Sequence, residues 1–355
     1  MRIEIFKAVL VLMLLSISAT AVSESRPVLL KVQSTYPTNL PGLGTNLLWI
    51  AEKISIITDN KVRLKVYEPN KLVGPLEVLD AVSRKKISAG YATPGFWAGK
   101  MSAAPFFSSF PFGPEAGEYL AWLYHGDGNT LRQTMYDKSG YTVHSLLCGL
   151  IGPETSGWFK QPVQTAEDLN GLRMRFFGLG AKVMEKLGVS TSLLPAAEVF
   201  PALEKGVIDA TEFSMPAIDE RLGLYKIAKY NYYPGWHQPS TVFELLVNQE
   251  IWQGLSESQQ VLLDTTCRAV TLESFSYTEA IQASVMKRNA EKHGVNNKIW
   301  SVKMLKRFEE AWHQVAAEEA TKDPFFKEVW DNYRAFHEQY TLWETYAFLP
   351  RLAPQ

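Results

Sequence analysis

Two stretches of the chain, "LEVLDAVSRKKISAG" (76–90) and "AEVFPALEKGVIDAT" (197–211), carry the same helix-then-strand pattern at a constant offset. Glu77 coincides with Glu198, Val78 with Val199, Ala81 with Ala202, Ile87 with Ile208 and Ala89 with Ala210. An amphipathic helix that feeds a short apolar strand is the building unit of a mostly parallel α/β sheet. Two copies therefore predict two α/β lobes of similar build with a ligand cleft between them. The flanks agree: strand composition at 28–36 and 61–68, helical spacing at 43–59, then a second round from Tyr141 through "LRMRFFG" (172–178) and "GAKVMEKLG" (180–188). At 355 residues and 46% hydrophobic, the chain has material for two cores.

Residues 241–252 read as a strand returning to the first lobe. Ser256 with Gln259 then gives a capping box opening a long helix. Asp323-Pro324 breaks the helical region before the aromatic stretch 325–349, which either folds back or packs on a partner chain. The expected organisation is a first lobe of 24–145 plus 238–275, a second of 146–237 plus 276–324, and a C-terminal helix over 325–355, a candidate for dimerisation.

The N-terminus, "MRIEIFKAVLVLMLLSISATAVSES", has basic residues Arg2 and Lys7, an apolar run from Ala8 to Ile17, and the small-residue pattern Ala19-Thr20-Ala21. This predicts a signal peptide over residues 1–23 and an exported mature chain beginning between residues 22 and 24. In an oxidising space Cys148 and Cys267 either pair or remain two buried thiols; sequence leaves the choice open. The formal charge of −1 provides no basic surplus for nucleic acid.

In "NGLRMRFFGLG" (170–180) two arginines lie two positions apart at a strand end that gives way to a helix. Ligands of open α/β sheets gather at carboxyl strand ends, and a guanidinium there matches a carboxylate with two parallel hydrogen bonds. Arg175, the nearer to the strand end, is the candidate anchor; Arg173 reads as a surface or inter-element residue. Glu212, in "DATEFSMP", lies at the strand end of the second repeat among apolar neighbours and requires an arginine, a proton or a cation. Glu154 and Gln238 stand at the two other approaches to the second lobe, and oxygen-rich groups converging with carbonyls suit sodium or calcium. Signals for catalysis are thin. No nucleophile elbow, P-loop or dinucleotide fingerprint is present; a Glu154/Glu212 acid pair and a Ser156/His237 pair are enzyme readings without supporting context.

Through these segments the chain resembles the solute-binding receptors of tripartite ATP-independent periplasmic (TRAP) transporters. The resemblance is carried by "EDLNGLRMR" (167–175), "FWAGK" (96–100), "FPFG" (110–113), "SGWF" (156–159), "KLGV" (186–189), "DATEF" (209–213), "LGLYKIAKYNYYPGW" (222–236) and "VN" (247–248). It is nearest the subgroup that takes 2-oxo or hydroxy acids together with a cation. The resemblance implies a two-lobed periplasmic binding-protein fold, a periplasmic location, membrane subunits as partners and a homodimer. It implies neither catalysis nor an organic cofactor. It assigns the ligand carboxylate to Arg175, ligand contacts to Phe96, Trp158, Glu154, Glu212 and Phe213, and the cation to Glu154, Glu212, the Phe213 carbonyl and Gln238. Where that subgroup has an amide upstream of "GWF" and an acid after "PGW", this chain has Glu154 and Gln238, so the placement is exchanged and the carboxylate count kept. The rival readings are a receptor for a sugar acid, an aromatic acid or a polyol, and an exported hydrolase using Glu154 and Glu212.

Overall fold

The computed structural model describes residues 27–349; the expected signal peptide and its cleavage positions lie outside them. Strands run in chain order as β1 (Val28–Ser34), β2 (Val62–Tyr67), β3 (Ala89–Ala92), β4 (Val143–Ile151), β5 (Gly157–Phe159) and β6 (Arg173–Arg175). They continue as β7 (Ser190–Ser192), β8 (Ala210–Thr211), β9 (Tyr230–Tyr233), β10 (Thr241–Asn248) and β11 (Asn296–Ile299). The first sheet has the order β2-β1-β3-β10-β4 and the second β11-β9-β5-β8-β6-β7. Helices pack over both sheets, giving the mixed α/β architecture expected.

The sequence repeat has a structural counterpart. Helix Val78–Ser83 feeds β3, and helix Ala196–Glu204 feeds β8. Each of these strands is parallel to one neighbour (β1 or β6) and antiparallel to the other (β10 or β5). A strand with partners on both edges and helices on its faces is buried along its length, as are all four residues of β3 and all eight of β10, where the one acid, Glu244, accepts from the Tyr136 and Ser145 hydroxyls. Helix Gly44–Ile57 buries Leu47, Ile50 and Ile54, the spacing that puts one face on the sheet.

Two features depart from the expected organisation. β4 stays in the first sheet, paired with β10, as far as Ile151, so the chain crosses after that residue rather than at 145. A division at 275 falls inside one continuous helix, Glu257–His293, whose Ser256/Gln259 capping box is formed. That helix serves both lobes. Cys267 is disulfide-bonded to Cys148 of β4, and the Ser274 hydroxyl donates to the Leu150 carbonyl at 2.8 Å. Further along, Gln282 accepts from the Ala217 N–H at 2.9 Å and Arg288 forks onto Glu220 at 2.8 and 2.6 Å. Helices Ala116–His125 and Gly128–Lys138 were not anticipated from sequence.

The last helix, Pro324–Ala347, folds back on the first lobe. Phe326, Val329 and Tyr333 are buried, Phe326 lies 4.6 Å from the Phe106 ring, and the Trp122 indole donates to Asn332 at 2.9 Å. Its far end does not pack: Leu342, Trp343, Tyr346, Phe348 and Leu349 are exposed. Among the described residues no helix is long and apolar enough to cross a membrane.

Candidate functional site

The carboxyl ends of β1, β3, β6 and β8 meet where the lobes face each other, as the strand-end rule for open α/β sheets requires. Tyr36 follows β1, Thr93 and Phe96 follow β3, Arg175 and Phe177 end β6, and Phe213 and Ser214 follow β8. Glu154 lies on the crossing from β4 to β5 and Gln238 on the return from β9 to β10. With Leu43, Thr241 and Phe243 these residues enclose a cavity of about 20 Å³. A single water needs roughly 10–15 Å³, so the lobes leave room here for about one or two waters, and a larger solute requires them to part slightly. The lobes touch around it. The Phe112 N–H donates to the Trp236 carbonyl at 2.8 Å, and a Cβ on Gly95 would stand 2.2 Å from the Phe177 ring, so glycine is what permits that approach.

Arg175 is 2% exposed and held on three sides. Its Nε donates to the Leu194 carbonyl at 3.2 Å; its Nη1 donates to the Glu212 carbonyl at 2.8 Å and to Glu212 Oε1 at 2.7 Å. The Phe213 ring lies 4.8 Å from the guanidinium. Nη2 makes no hydrogen bond to a described residue and belongs to the side of the fork that the cavity can use. Arg173, by contrast, is an exposed residue that forks onto Asp209 at 2.8 and 3.0 Å. Arg173→Ala should leave ligand affinity unchanged in calorimetry; a loss equal to that of Arg175→Ala would reverse the assignment of the two.

Opposite Nη2 the cavity is a collection of acceptors. Glu154 Oε1 accepts from the Ser214 and Thr241 hydroxyls, each at 3.3 Å, and Gln238 Nε2 donates to Thr241 Oγ1 at 2.8 Å. With its nitrogen committed to Thr241, the Gln238 amide has only its Oε1 left to offer. Gln238 Oε1, Glu154 Oε2 and Glu212 Oε2 are all buried without a hydrogen-bond partner, and the Phe213 carbonyl accepts none. Buried acceptors left unpaired together are costly, and a cation relieves all of them at once. The residues present therefore fit a bound cation. Burial, then the charges of Glu212 and Asp219, pushes the Glu154 carboxyl well above the usual range. Burial also acts on Glu212, but Arg175 and the His237 ring outweigh it and hold that carboxyl below its ordinary value.

The structure brings Arg175, Glu154, Gln238, Phe213 and Phe96 to the cavity wall, with Glu212 directly behind Arg175. Trp158 is not among the lining residues. Its indole donates at 2.7 Å to Asp219, a buried acid that also accepts from the Ser214 N–H, so Trp158 supports the wall without forming it. The Ser156/His237 pairing has no counterpart, because the Ser156 hydroxyl donates to the Pro234 carbonyl. Sequence reasoning missed several wall residues, Tyr36 among them, and offered His237 only as the base of an enzyme pair. Tyr36 lines the cavity, and burial raises the pKa of its hydroxyl well above the usual value. His237 is 1% exposed and offers a ring nitrogen 3.6 Å from Glu212 Oε2. The signal for His237 was its place beside Gln238.

Residues 37–323 match the family described as bacterial extracellular solute-binding protein, family 7 (DctP). A relative from Nostoc sp., described as a monocarboxylate 2-oxoacid-binding periplasmic protein, is 33% identical over 294 residues, covering 83% of this chain and 80% of its own length. A TRAP transporter solute-binding protein from Bordetella bronchiseptica superposes with a TM-score of 0.88 at 27% identity, covering 91% of this chain and 95% of that one; it is a mixed-occupancy dimer with calcium and picolinate in one site. A TRAP periplasmic solute-binding protein from Pseudoalteromonas atlantica, with bound sodium and pyruvate, gives a TM-score of 0.86 at 29% identity, covering 91% and 97%.

Proposed function

Because the chain belongs to family 7 of the bacterial extracellular solute-binding proteins and is a TRAP solute receptor, we propose that its cleft takes a small 2-oxo or hydroxy monocarboxylate, pyruvate-like or lactate-like, together with a sodium or calcium ion. One observation carries this reading. The free side of the Arg175 fork and the unpaired oxygens of Glu154 and Gln238 face a single small cavity, with Glu212 behind. An acid with an adjacent oxygen complements both halves: its carboxylate lies on Arg175 Nη2 and the Tyr36 hydroxyl, and its second oxygen on the cation side. Glu154, Glu212, Gln238 and the Phe213 carbonyl would hold the cation, which supplies positive charge to that second oxygen. Phe96, Phe177, Phe213 and Phe243 leave the acid's short side chain an apolar wall. The receptor family works with TRAP membrane components, and we place this chain with them in the periplasm.

The test is calorimetry on chelated protein in sodium-free buffer. Pyruvate-class acids should bind weakly there and roughly 5–150-fold more tightly once sodium or calcium is added, the usual range of coupling between two linked ligands. Binding of a polyol or sugar acid in preference to every 2-oxo and hydroxy acid, whatever the cation, would overturn the assignment.

The exposed apolar tip of the last helix, from Leu342 to Leu349, is the feature that favours a homodimer. Removing residues from Leu342 onward, which spares the buried Phe326, Val329 and Tyr333, should turn a dimer into a folded monomer in light scattering. A full-length chain that is already monomeric at micromolar concentration would refute it.

A further inference from the structure

The acid-and-cation reading above leaves open which class of cation the cleft takes, and the charges and donors of this chain bear on that choice. Arg175, Glu154 and Glu212 are 2%, 4% and 0% exposed. With a cation in place of the Glu154 proton they sum to one negative charge, and a monocarboxylate ligand makes it two; Asp219, the buried acid nearby, has its own donors in the Trp158 indole and the Ser214 N–H. A monovalent ion leaves one negative charge uncompensated in a closed, buried cleft; a divalent ion leaves none. Uncompensated buried charge is among the most unfavourable features a folded protein can hold.

The second observation is His237. Both of its ring nitrogens are buried without a hydrogen-bond partner. Its Nε2 lies 3.6 Å from Glu212 Oε2, an oxygen equally unpartnered. That separation is too long for a hydrogen bond. It is the spacing of two donors on one ion, since bonds of about 2.3–2.6 Å at a right angle put the donor atoms roughly 3.3–3.7 Å apart. One ligand atom from each of Glu154, Glu212 and His237 lies within 4.8 Å of the others. The ring is held in place by packing, with the Phe176 and Trp236 rings at 4.9 and 5.6 Å. Gly180 clears its base, for a Cβ there would stand 3.0 Å from the His237 Cβ. Sodium gains little from an imidazole, whereas first-row divalent ions accept imidazole and carboxylate together.

We infer that this cleft selects a divalent over a monovalent cation, and that His237 donates a ring nitrogen to it alongside Glu154, Glu212 and the Gln238 oxygen. A mixed nitrogen and oxygen set of this kind admits manganese(II) or cobalt(II) as well as calcium.

The test titrates chelated full-length protein with sodium, calcium, manganese(II) and cobalt(II), each with and without pyruvate, by calorimetry. Pyruvate affinity should rise about tenfold more with any of the divalent ions than with sodium at the same concentration. Manganese-loaded protein should display nitrogen coupling from one histidine in pulsed electron paramagnetic resonance, a readout that requires no variant. His237→Gln should lower the cobalt-to-calcium affinity ratio by about tenfold, as loss of the only imidazole in the set implies. Sodium matching calcium would overturn the divalent preference. Absent nitrogen coupling, or an unchanged metal ratio in His237→Gln, would return His237 to the role of a neighbour of Glu212. A pyruvate affinity indifferent to all four ions would instead defeat the acid-and-cation reading itself.

Discussion

Arg175→Ala is expected to abolish acid binding and also to destabilise the folded protein by about 3–5 kcal/mol, the cost of breaking a buried ion pair from one side. Both effects have one cause. The guanidinium donates to Glu212 Oε1 and to two backbone carbonyls while offering its remaining nitrogen to the cavity. Without it Glu212 is a buried carboxylate next to Glu154, with no compensating charge. Arg175→Lys should rescue part of the stability and little of the binding, because an ammonium cannot span Leu194, Glu212 and a ligand in one plane. The double variant Arg175→Ala with Glu212→Gln separates the two effects. It should recover much of the lost stability, since no orphaned charge remains, and recover no acid binding. Chemical denaturation and calorimetry on the same samples decide the matter. Full stability in Arg175→Ala would mean that the pair is not what holds these strands together.

Cys148→Ala with Cys267→Ala is expected to cost about 4–5 kcal/mol, because the bridge closes a loop with a sequence separation of 119 residues and so removes that freedom from the unfolded chain. Alanine is the informative replacement. Both positions are fully buried, and a serine would add an unsatisfied hydroxyl to the loss. The denaturant slope should steepen as well, since an unbridged chain exposes more surface on unfolding. A stability loss with no change in slope would locate the effect in packing between β4 and the long helix and not in loop closure. Ligand affinity should change little, because neither cysteine borders the cavity.

What could be read from the sequence depended on how local its cause was. Helix Gly44–Ile57 and the capping box at Ser256 are set by spacings within a few residues, and both are where the sequence placed them. Arg175 was legible for a related reason: a strand, a basic residue and a helix start in immediate succession. β5, β7, β8 and β11 have between two and four residues, too few for a period to show, and they exist because neighbouring strands pair with them. Trp158 was misread because the acid that claims its indole, Asp219, is 61 residues away. Tyr36 reaches the cavity only because β1 and β6 end at the same cleft, which no local pattern encodes. The unpaired oxygen of Gln238 depends on Thr241 holding the amide nitrogen, a contact no local pattern announces.

The order of strands in the first sheet also dictates an order of assembly. β10 lies between β3 and β4, and β4 pairs with no other strand. A chain that emerges N-terminus first can lay β1, β2 and β3 together early, but β4 has no partner until residues 241–248 have followed. Cys148 must likewise wait for Cys267. The second sheet lacks only its edge strand β11 once Tyr233 has emerged. The first sheet thus waits for its fifth strand until five of the second sheet's six have emerged, and its unpaired β4 stays exposed in the meantime. Contacts this distant in sequence slow folding and leave strand edges open to wrong partners. The receptor is thereby most vulnerable to aggregation after β4 has appeared and before β10 has, an interval whose length is set by the whole of the second lobe.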